Sequence, residues 1–521
     1  MIDPSQASTM GTVGDFLITN DGAKRIDRID GHPSSVEIQL SVEVEDEADL
    51  TAHGSRHEDA VSLVRAMIGM MVFQLISDAC DKLFAKIRVS LPGCVVGAAL
   101  VFILLCLASL VSPSLVSRAE WLLLPAADLL LSWLAMLFVP AMIGFPLLVP
   151  RVPPLDLIKL MAILIIAAPI TLACTALLLM GSHTLRDKLC QLVGRRSDRM
   201  NSPSSQHRAR VPPQPMRATI PFPIWFMVMA FGIVMVCLCA QPFLLESHNI
   251  RVVMSNVGFV AALPTSFSLL RLLQSESRIR SHPNWQWAAD LLNPVATTAL
   301  VCWLLIELTA LAAHIPFSTA ISDIHSGASI KGLQFDEASA MRAGDWIQYL
   351  LNASVVAMAF PMFSRAHILR GWRAVDAGLS LLAVSAASLF ATAGLARAFS
   401  IESTLVRRSI VLRTVTTPIA VASVSYVDGD ASIASLTAIL TGVFTVAVWR
   451  LVLRLCRAED AYVRGLAMGA SAHGIGTATL LMEEAEAAPF APVAFVVVGI
   501  ASSALLAIPP FQRALLAVIG D

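Results

Sequence analysis

The sequence predicts an all-α, polytopic membrane protein with broken helices in its C-terminal half. Apolar residues make up 56% of the chain and charged residues 14%, against about 25% charged in an ordinary soluble domain. The apolar residues form long runs of about 18 to 25, enough for a helix to cross ~30 Å of hydrocarbon. These runs lack the alternation of a barrel strand, so we expect about 12 membrane-spanning helices.

Composition and motifs exclude several classes of function. The formal net charge is −1, and no basic patch is interleaved with aromatic residues, so nucleic acid is not an expected partner. The chain has no P-loop, no GxGxxG after a strand and no HExxH motif. The nine cysteines show no CxxC pair. We therefore expect neither an enzyme nor a bound metal or cofactor.

Four regions follow from changes in composition along the chain. Residues 1–60 are polar and partly acidic, which predicts a disordered tail. Residues 61–181 contain four apolar runs and form a first, four-helix membrane domain. The Arg-rich stretch 182–218 is a basic linker, expected on the cytoplasmic side. Residues 219–521 form a second membrane domain.

The expected localisation is an integral, multi-pass membrane protein, in the plasma membrane or in the inner membrane of an organelle. The bilayer is then a partner by necessity. A homo-oligomer is compatible with the pattern but is not specified by it.

A first unusual segment lies in the C-terminal domain at 413–420, where Arg413 and Pro418 interrupt an apolar run. Proline removes a backbone donor, and a basic residue at mid-bilayer costs about 2.5–3.5 kcal/mol on insertion scales. A segment with both features normally lines a cavity. The surrounding stretch 401–430 either crosses the membrane as a broken helix or is re-entrant.

A second unusual segment lies at 469–478, with three glycines, one histidine and two hydroxyl side chains inside an apolar run. Glycine costs about 1 kcal/mol in a helix interior relative to alanine. The segment therefore predicts a helix that unwinds within the membrane. A half-helix N-terminus exposes N–H groups that favour an anion, and a carboxylate suits it better than a cation or a sugar.

Each polar residue in these segments has a functional and a structural interpretation. Arg413 either pairs with a carboxylate substrate or extends to a headgroup. The hydroxyls at 416 and 417 either contact substrate or bond carbonyls freed by the proline. His473 carries a coupled proton or donates to substrate, or it caps a helix or bonds a neighbouring carbonyl. The predicted substrate-binding residues are Arg413, Thr416, Thr417, Pro418, Ser471, His473, Gly474, Gly476 and Thr477.

Three residues are candidates for proton coupling: His473, Glu307 and Glu483. Glu307 lies alone in an apolar run, where an acid is either functional or part of an interhelical bond. Glu483 follows the second segment and either belongs to a relay or marks a solvated helix end.

The two unusual segments also carry a family resemblance. Six short stretches together closely resemble the signature of the LrgB (CidB) family. They lie at 415–420, 435–438, 441–442, 464–469, 472–478 and 483–484. Asn293-Pro294 resembles the start of an early helix of the same domain. The resemblance covers about 220–516. A proline–lysine pair of the family is Leu412-Arg413 here.

The N-terminal domain resembles LrgA (CidA) over about 61–181. Leu91-Pro92-Gly93 is similar to the proline–glycine helix start of that family, and 134–141 is similar to its second signature. A fusion of the two halves resembles the plastidal glycolate/glycerate translocators of plants and fused relatives in fungi. The resemblance implies a secondary transporter of small monocarboxylates of the glycolate, glycerate or pyruvate type, with a proton as a candidate coupling ion, and an LrgB half with inverted repeats.

The alternative function is a holin-like or regulatory membrane protein that affects cell-wall hydrolase activity or membrane permeability. The resemblance implies this alternative as well, because bacterial relatives have been described in those terms. A carrier saturates and shows competition between solutes, whereas a pore does not.

Overall fold

The structure is a computed structural model, and it describes residues 36–86, 91–147, 152–192, 224–240, 248–275, 294–326, 341–369 and 371–520. Within these ranges all regular structure is helical. The chain divides into two compact units, Met1–Val61 and Ser62–Asp521. The predicted all-α fold is confirmed.

The N-terminal helices are α1 Val36–Lys86, α2 Gly93–Val111, α3 Pro113–Ser132, α4 Leu134–Leu137, α5 Val139–Ile143 and α6 Pro154–Leu192. Helix α2 begins directly after Pro92, as the sequence predicts, because proline has a fixed φ that suits a helix start. Helix α3 and the segment Leu134–Leu147 are bent by 64° relative to each other. Phe138 lies beyond this bend, at the junction of α4 and α5.

The C-terminal helices are α7 Ile224–Ala240, α8 His248–Ser275, α9 Pro294–Ala312, α10 Phe317–Ile324, α11 Ala343–Ala357, α12 Ala359–Ser364, α13 Trp372–Ala398, α14 Thr404–Ile410, α15 Thr417–Ser423, α16 Ala431–Leu455, α17 Ala461–Glu483, α18 Ala491–Ala507 and α19 Pro509–Ile519. Helix α16 is preceded by the cap residue Asp430, whose side chain accepts hydrogen bonds from two backbone N–H groups of the first turn.

Nine helices among the described residues are long and apolar enough to cross a membrane, or ten if the bent pair α3 with Leu134–Leu147 is one span. The chain is therefore an integral, multi-pass membrane protein, as predicted. The expected total of about 12 is not confirmed, and the stretches 193–223, 241–247 and 276–293 lie outside the described residues.

Helix α17 is absent from those nine although it has 23 residues. Its side chains from Tyr462 to Leu480 are almost all buried. It packs against α6, α16 and α18. A helix shielded from lipid by its neighbours does not need an apolar surface, so polar residues are tolerated in it.

Helix α6 is the last helix of the predicted first membrane domain, and its main packing partners lie in the C-terminal part of the chain. It packs against α13, α16 and α17. Helix α2 similarly packs against α11 and α12. The two predicted membrane domains thus interlock within the unit Ser62–Asp521. The domain boundaries at 60, 181 and 218 stay predictions.

Two predictions fall on residues that the structure describes only in part. Of the predicted tail 1–60, residues 1–35 lie outside the described residues, whereas 36–60 belong to helix α1. Glu and Ala, which have high helix propensity, are frequent there. The predicted linker 182–218 begins inside α6, and its portion 193–218 lies outside the described residues.

Candidate functional site

The first predicted break lies between α14 and α15. Helix α14 ends at Ile410, and the chain turns irregularly until α15 begins at Thr417. Pro418 lies in the first turn of α15, where its missing N–H costs nothing. Residues 401–430 therefore form two short helices and a final 3-10 turn rather than one continuous helix, which confirms a broken element here.

The second break lies at His473, inside α17. This residue has φ 45° and ψ −125°, so the helix is kinked there. Such a backbone conformation is rare for any residue except glycine and costs about 1–3 kcal/mol. Thr477 bonds the carbonyl of His473 through its hydroxyl at 3.0 Å.

The role of the glycines differs from the prediction that they unwind the helix. The non-helical residue is His473, not one of its glycine neighbours. A Cβ at Gly465 or Gly469 would overlap the carbonyl oxygens of Ala487 and Ala491. These glycines let α17 approach the chain around α18 closely, and a Cβ at Gly476 would meet α17 itself.

The two breaks meet in the interior of the molecule. The Nε2 atom of His473 lies 3.2 Å from the backbone oxygen of Arg413, so Nε2–H donates to that carbonyl. His473 is 4% exposed and Arg413 is 1% exposed. The imidazole thus bonds a neighbouring carbonyl, which is the structural alternative given for it above. The same bond leaves the lone pair of a neutral ring on Nδ1.

The guanidinium of Arg413 is held by two threonine hydroxyls from different helices. Nε donates to Thr392 of α13 at 3.0 Å, and one terminal nitrogen donates to Thr171 of α6 at 2.8 Å. Each hydroxyl in turn donates to a carbonyl of its own helix, at Ser388 and Ala167. The extension of Arg413 to a lipid headgroup is therefore wrong, because the side chain is fully buried.

Several polar atoms near the two breaks have no hydrogen-bond partner among the described residues: Nη1 of Arg413, Oγ1 of Thr416 and Oγ of Ser471. Within the same residues Arg413 forms no ion pair with a carboxylate. Buried polar groups are normally satisfied, and an unpaired buried charge is costly. The two breaks meet around Arg413, Thr416, Ser471 and His473, and we call this place the crossing. Its unpartnered polar atoms make it the candidate site for an anion or another polar ligand.

The other predicted substrate-binding residues are also buried near the breaks. Thr417 is buried at the start of α15, and Pro418 is half-buried beside it. Thr416 does not satisfy a carbonyl freed by the proline, since its hydroxyl has no partner. Gly474 is covered by the ring of Phe138, with which a Cβ would overlap.

The two predicted acidic proton carriers lie elsewhere. Glu307 is on α9, which packs mainly against α8, α10 and the α4–α5 region. Glu483 ends α17 and forms an ion pair with Arg450 at 2.6 Å. Two interpretations were given above for Glu483, a solvated helix end and a proton relay. Neither of them fully accounts for this ion pair. The structure brings His473 alone of the three to the crossing.

The residues around the crossing are buried. Two cavities formed by the described residues are lined by α7, α8 and their neighbours, and neither contains a residue of the two breaks. No cluster of three or more His, Cys, Asp or Glu suited to a metal ion occurs in the described part of the chain. Neither of these two cavities is the one that the sequence predicts beside Arg413.

Sequence reasoning missed four residues at the site: Phe138, Thr171, Ser388 and Thr392. The hydroxyl of Ser388 lies 3.0 Å from that of Thr414, within the first break. For Thr171, Ser388 and Thr392 the only signal in the sequence was a hydroxyl residue in an apolar helix, and Phe138 gave no such signal. Such residues commonly bond their own helix backbone, and Thr171 and Thr392 do so as well.

The fold and the crossing define a class: a polytopic helical membrane protein in which two broken segments meet around a buried arginine. The LrgB-like family model matches residues 281–510, and the LrgA family model matches residues 74–179. The chain belongs to the LrgB-like family and carries an LrgA domain before it. The resemblance stated from the sequence is confirmed.

Three relatives illustrate the range of the family. The chain is 33% identical to the plastidal glycolate/glycerate translocator 1, chloroplastic, of Arabidopsis thaliana over 184 residues, 35% of this chain and 36% of that protein. It is 30% identical to the antiholin-like protein LrgB of Bacillus subtilis over 181 residues, 34% of this chain and 76% of that protein. It is 24% identical to the holin-like protein CidB of Staphylococcus aureus over 166 residues, 32% of this chain and 72% of that protein.

The match thus spans about a third of the length of the plant translocator. No solved structure matches the chain. The names of these relatives are those of a translocator and of holin-like membrane proteins, and not of enzymes.

Proposed function

We propose that this protein is a secondary membrane transporter of small monocarboxylates of the glycolate, glycerate or pyruvate type. The observation that carries the proposal is Arg413, a fully buried guanidinium with an unpartnered terminal nitrogen and no carboxylate partner among the described residues. A substrate carboxylate would neutralise this charge and bond the planar guanidinium at two points.

The unpartnered hydroxyls favour a small hydroxy or oxo acid. Thr416 lies three residues after Arg413, and Ser471 lies two residues before His473, one on each broken segment. A hydroxyl can both donate and accept. Groups of this kind suit a substrate that carries a polar group beside its carboxylate. The name of the Arabidopsis relative points to the same substrate class.

Broken elements in the membrane interior also support a carrier. Both breaks are buried among α6, α13, α16 and α18 rather than facing lipid. Irregular backbone at membrane depth is tolerated where it is enclosed by protein and forms a binding site. A buried, polar crossing is what an occluded state of a carrier requires. The proposed partners are the small organic anion and the bilayer, and a homo-oligomer stays a prediction.

The proposal includes proton coupling through His473. Its imidazole donates to the backbone of the residue that would hold the carboxylate. A change in its protonation would therefore alter the charge next to Arg413. We expect an inward proton gradient to stimulate uptake into proteoliposomes. An equal rate with and without the gradient would contradict coupling and leave transport itself intact.

The second candidate function is a holin-like or regulatory membrane protein that alters membrane permeability or cell-wall hydrolase activity. The names of the Bacillus and Staphylococcus relatives favour it. Such a protein would release many solutes without saturation.

Uptake of radiolabelled acids into proteoliposomes separates the two functions. We expect saturable uptake of a two- or three-carbon monocarboxylate, inhibited by other members of the panel. Arg413→Leu is the test variant for this uptake. Arg397→Leu is its control, because Arg397 is exposed on the neighbouring helix α13. Absence of saturable uptake by folded wild-type protein, or non-saturating leakage of unrelated solutes, would contradict the proposal.

A further inference from the structure

We propose that the N-terminal, LrgA-like part of the chain completes the anion site of the C-terminal part, with Thr171 as the positioning residue for Arg413. The inference rests on the proposed function. Thr171 lies within the segment 74–179 matched by the LrgA family model, and Arg413 lies within the LrgB match. The division into two membrane domains predicted from the sequence does not include this connection.

The hydroxyl of Thr171 is held in a fixed orientation. It donates to the carbonyl of Ala167 at 2.8 Å and accepts from Arg413 at 2.8 Å. Its hydrogen is therefore directed along α6, and a lone pair is directed at the guanidinium. Together with Thr392 on α13, it fixes the plane of the guanidinium from two sides, so that the remaining terminal nitrogen stays unpartnered.

A second contact ties α6 to the first break. Both carboxylate oxygens of Asp156, in the first turn of α6, accept backbone N–H groups just before α14, from Glu402 at 3.1 Å and from Ser403 at 2.9 Å. Asp156 is buried. The start of α6 therefore fixes the entry of the first broken element, and its middle fixes the arginine at the end of that element.

A third contact comes from the bend in the N-terminal part. Phe138 is buried at the junction of α4 and α5, and its ring lies against Gly474, directly after the kink residue. A side chain at Gly474 would overlap that ring. The ring thus covers the second break, while Thr171 supports the first. Both breaks depend on residues of the LrgA-like part.

The test compares two threonines of α6, Thr171 and Thr175, which are four positions apart, in the full-length protein. Thr171→Val removes the acceptor for Arg413 but keeps the shape. Thr175→Val is the matched control, because Thr175 is also buried and its hydroxyl donates to the carbonyl of Thr171. We expect Thr171→Val to raise the KM for the transported acid about tenfold, as for a lost charge-assisted hydrogen bond. The maximal rate should change far less.

Thr171→Ser keeps the hydroxyl and should restore a KM close to that of the wild type. Equal KM values for Thr171→Val, Thr175→Val and wild type would overturn the inference while the transport function stands. If wild-type protein shows no saturable uptake, the proposed function fails and this inference fails with it.

The contact with Phe138 is tested by a double-mutant cycle on the thermal midpoint of the purified full-length protein. We expect Gly474→Ala to lower the midpoint strongly in the wild-type background. In the Phe138→Ala background the added methyl group has space, so the loss should be smaller. An equal loss in both backgrounds would overturn the role of Phe138 as the cover of the break.

Discussion

At the residue scale, the site contains two energetically unfavourable features that the surrounding fold stabilises. Arg413 is a buried charge without an acidic partner in the described part of the chain, and His473 adopts a backbone conformation that favours glycine. Strain and unpaired charge persist where the surrounding structure enforces them, and they concentrate at functional sites. Each feature gives a separate prediction.

Replacing the buried arginine should stabilise the protein and abolish its activity. We expect Arg413→Leu to raise the free energy of unfolding by about 1–3 kcal/mol, because an apolar side chain removes an unpaired buried charge. Saturable uptake should fall to the level of empty vesicles. Thermal unfolding in detergent and uptake in proteoliposomes measure the two effects. A destabilised variant that still transports would contradict both parts.

The kink and the imidazole of His473 are separable by two substitutions. We expect His473→Ala and His473→Gly both to abolish uptake while the protein still inserts, because each removes the imidazole. His473→Gly should be more stable than His473→Ala by about 1–3 kcal/mol, because glycine adopts this backbone conformation without strain. Wild-type uptake by either variant would refute a central role for the imidazole.

At the element scale, the glycines of α17 serve helix packing, and the break is made by another residue. Gly465 and Gly469 lie on the face that contacts the 3-10 turn Ala488–Phe490 and α18. Small residues at helix interfaces in membranes let backbones approach closely. Close packing against α18 therefore holds the part of α17 that precedes the break.

A methyl group on that face should destabilise the protein. We expect Gly469→Ala to lower the free energy of unfolding by about 1–3 kcal/mol, because its Cβ would overlap the backbone of Ala491. Gly378→Ala on α13 is the matched control, since a Cβ there meets nothing within 4 Å. Thermal midpoints of the two variants give the comparison, and equal midpoints would contradict close packing at Gly469.

At the scale of the whole molecule, residues from the two family segments form one interior. Helix α6 belongs to the LrgA match through residue 179, yet it packs against α13, α16 and α17. Its N-terminal carboxylate binds backbone far along the chain. The molecule is therefore not a transport domain with an independent helical addition.

Loss of that carboxylate should be felt across the molecule. We expect Asp156→Ala to lower the free energy of unfolding by about 1–3 kcal/mol, because two backbone N–H groups lose their acceptor. It should also raise the KM, since the entry of α14 is no longer fixed. Glu459→Ala serves as the control, because Glu459 is exposed. Identical stability of the two variants would contradict the link between α6 and α14.

The sequence by itself determined that the chain is a helical membrane protein, and which two segments are irregular. Long apolar runs are a local property, and a proline, an arginine and a histidine in such runs are visible without coordinates. The family also followed from the order of these motifs.

Only the tertiary structure decided which residues surround those segments. Thr171 and Arg413 are separated by 242 positions in the chain, and a threonine in an apolar helix looks the same whether or not a guanidinium lies beside it. The carbonyl partner of His473, the burial of Arg413 and the ion pair of Glu483 were likewise set by long-range packing. Local patterns record what a helix prefers, whereas a site is made by the helices that pack around it.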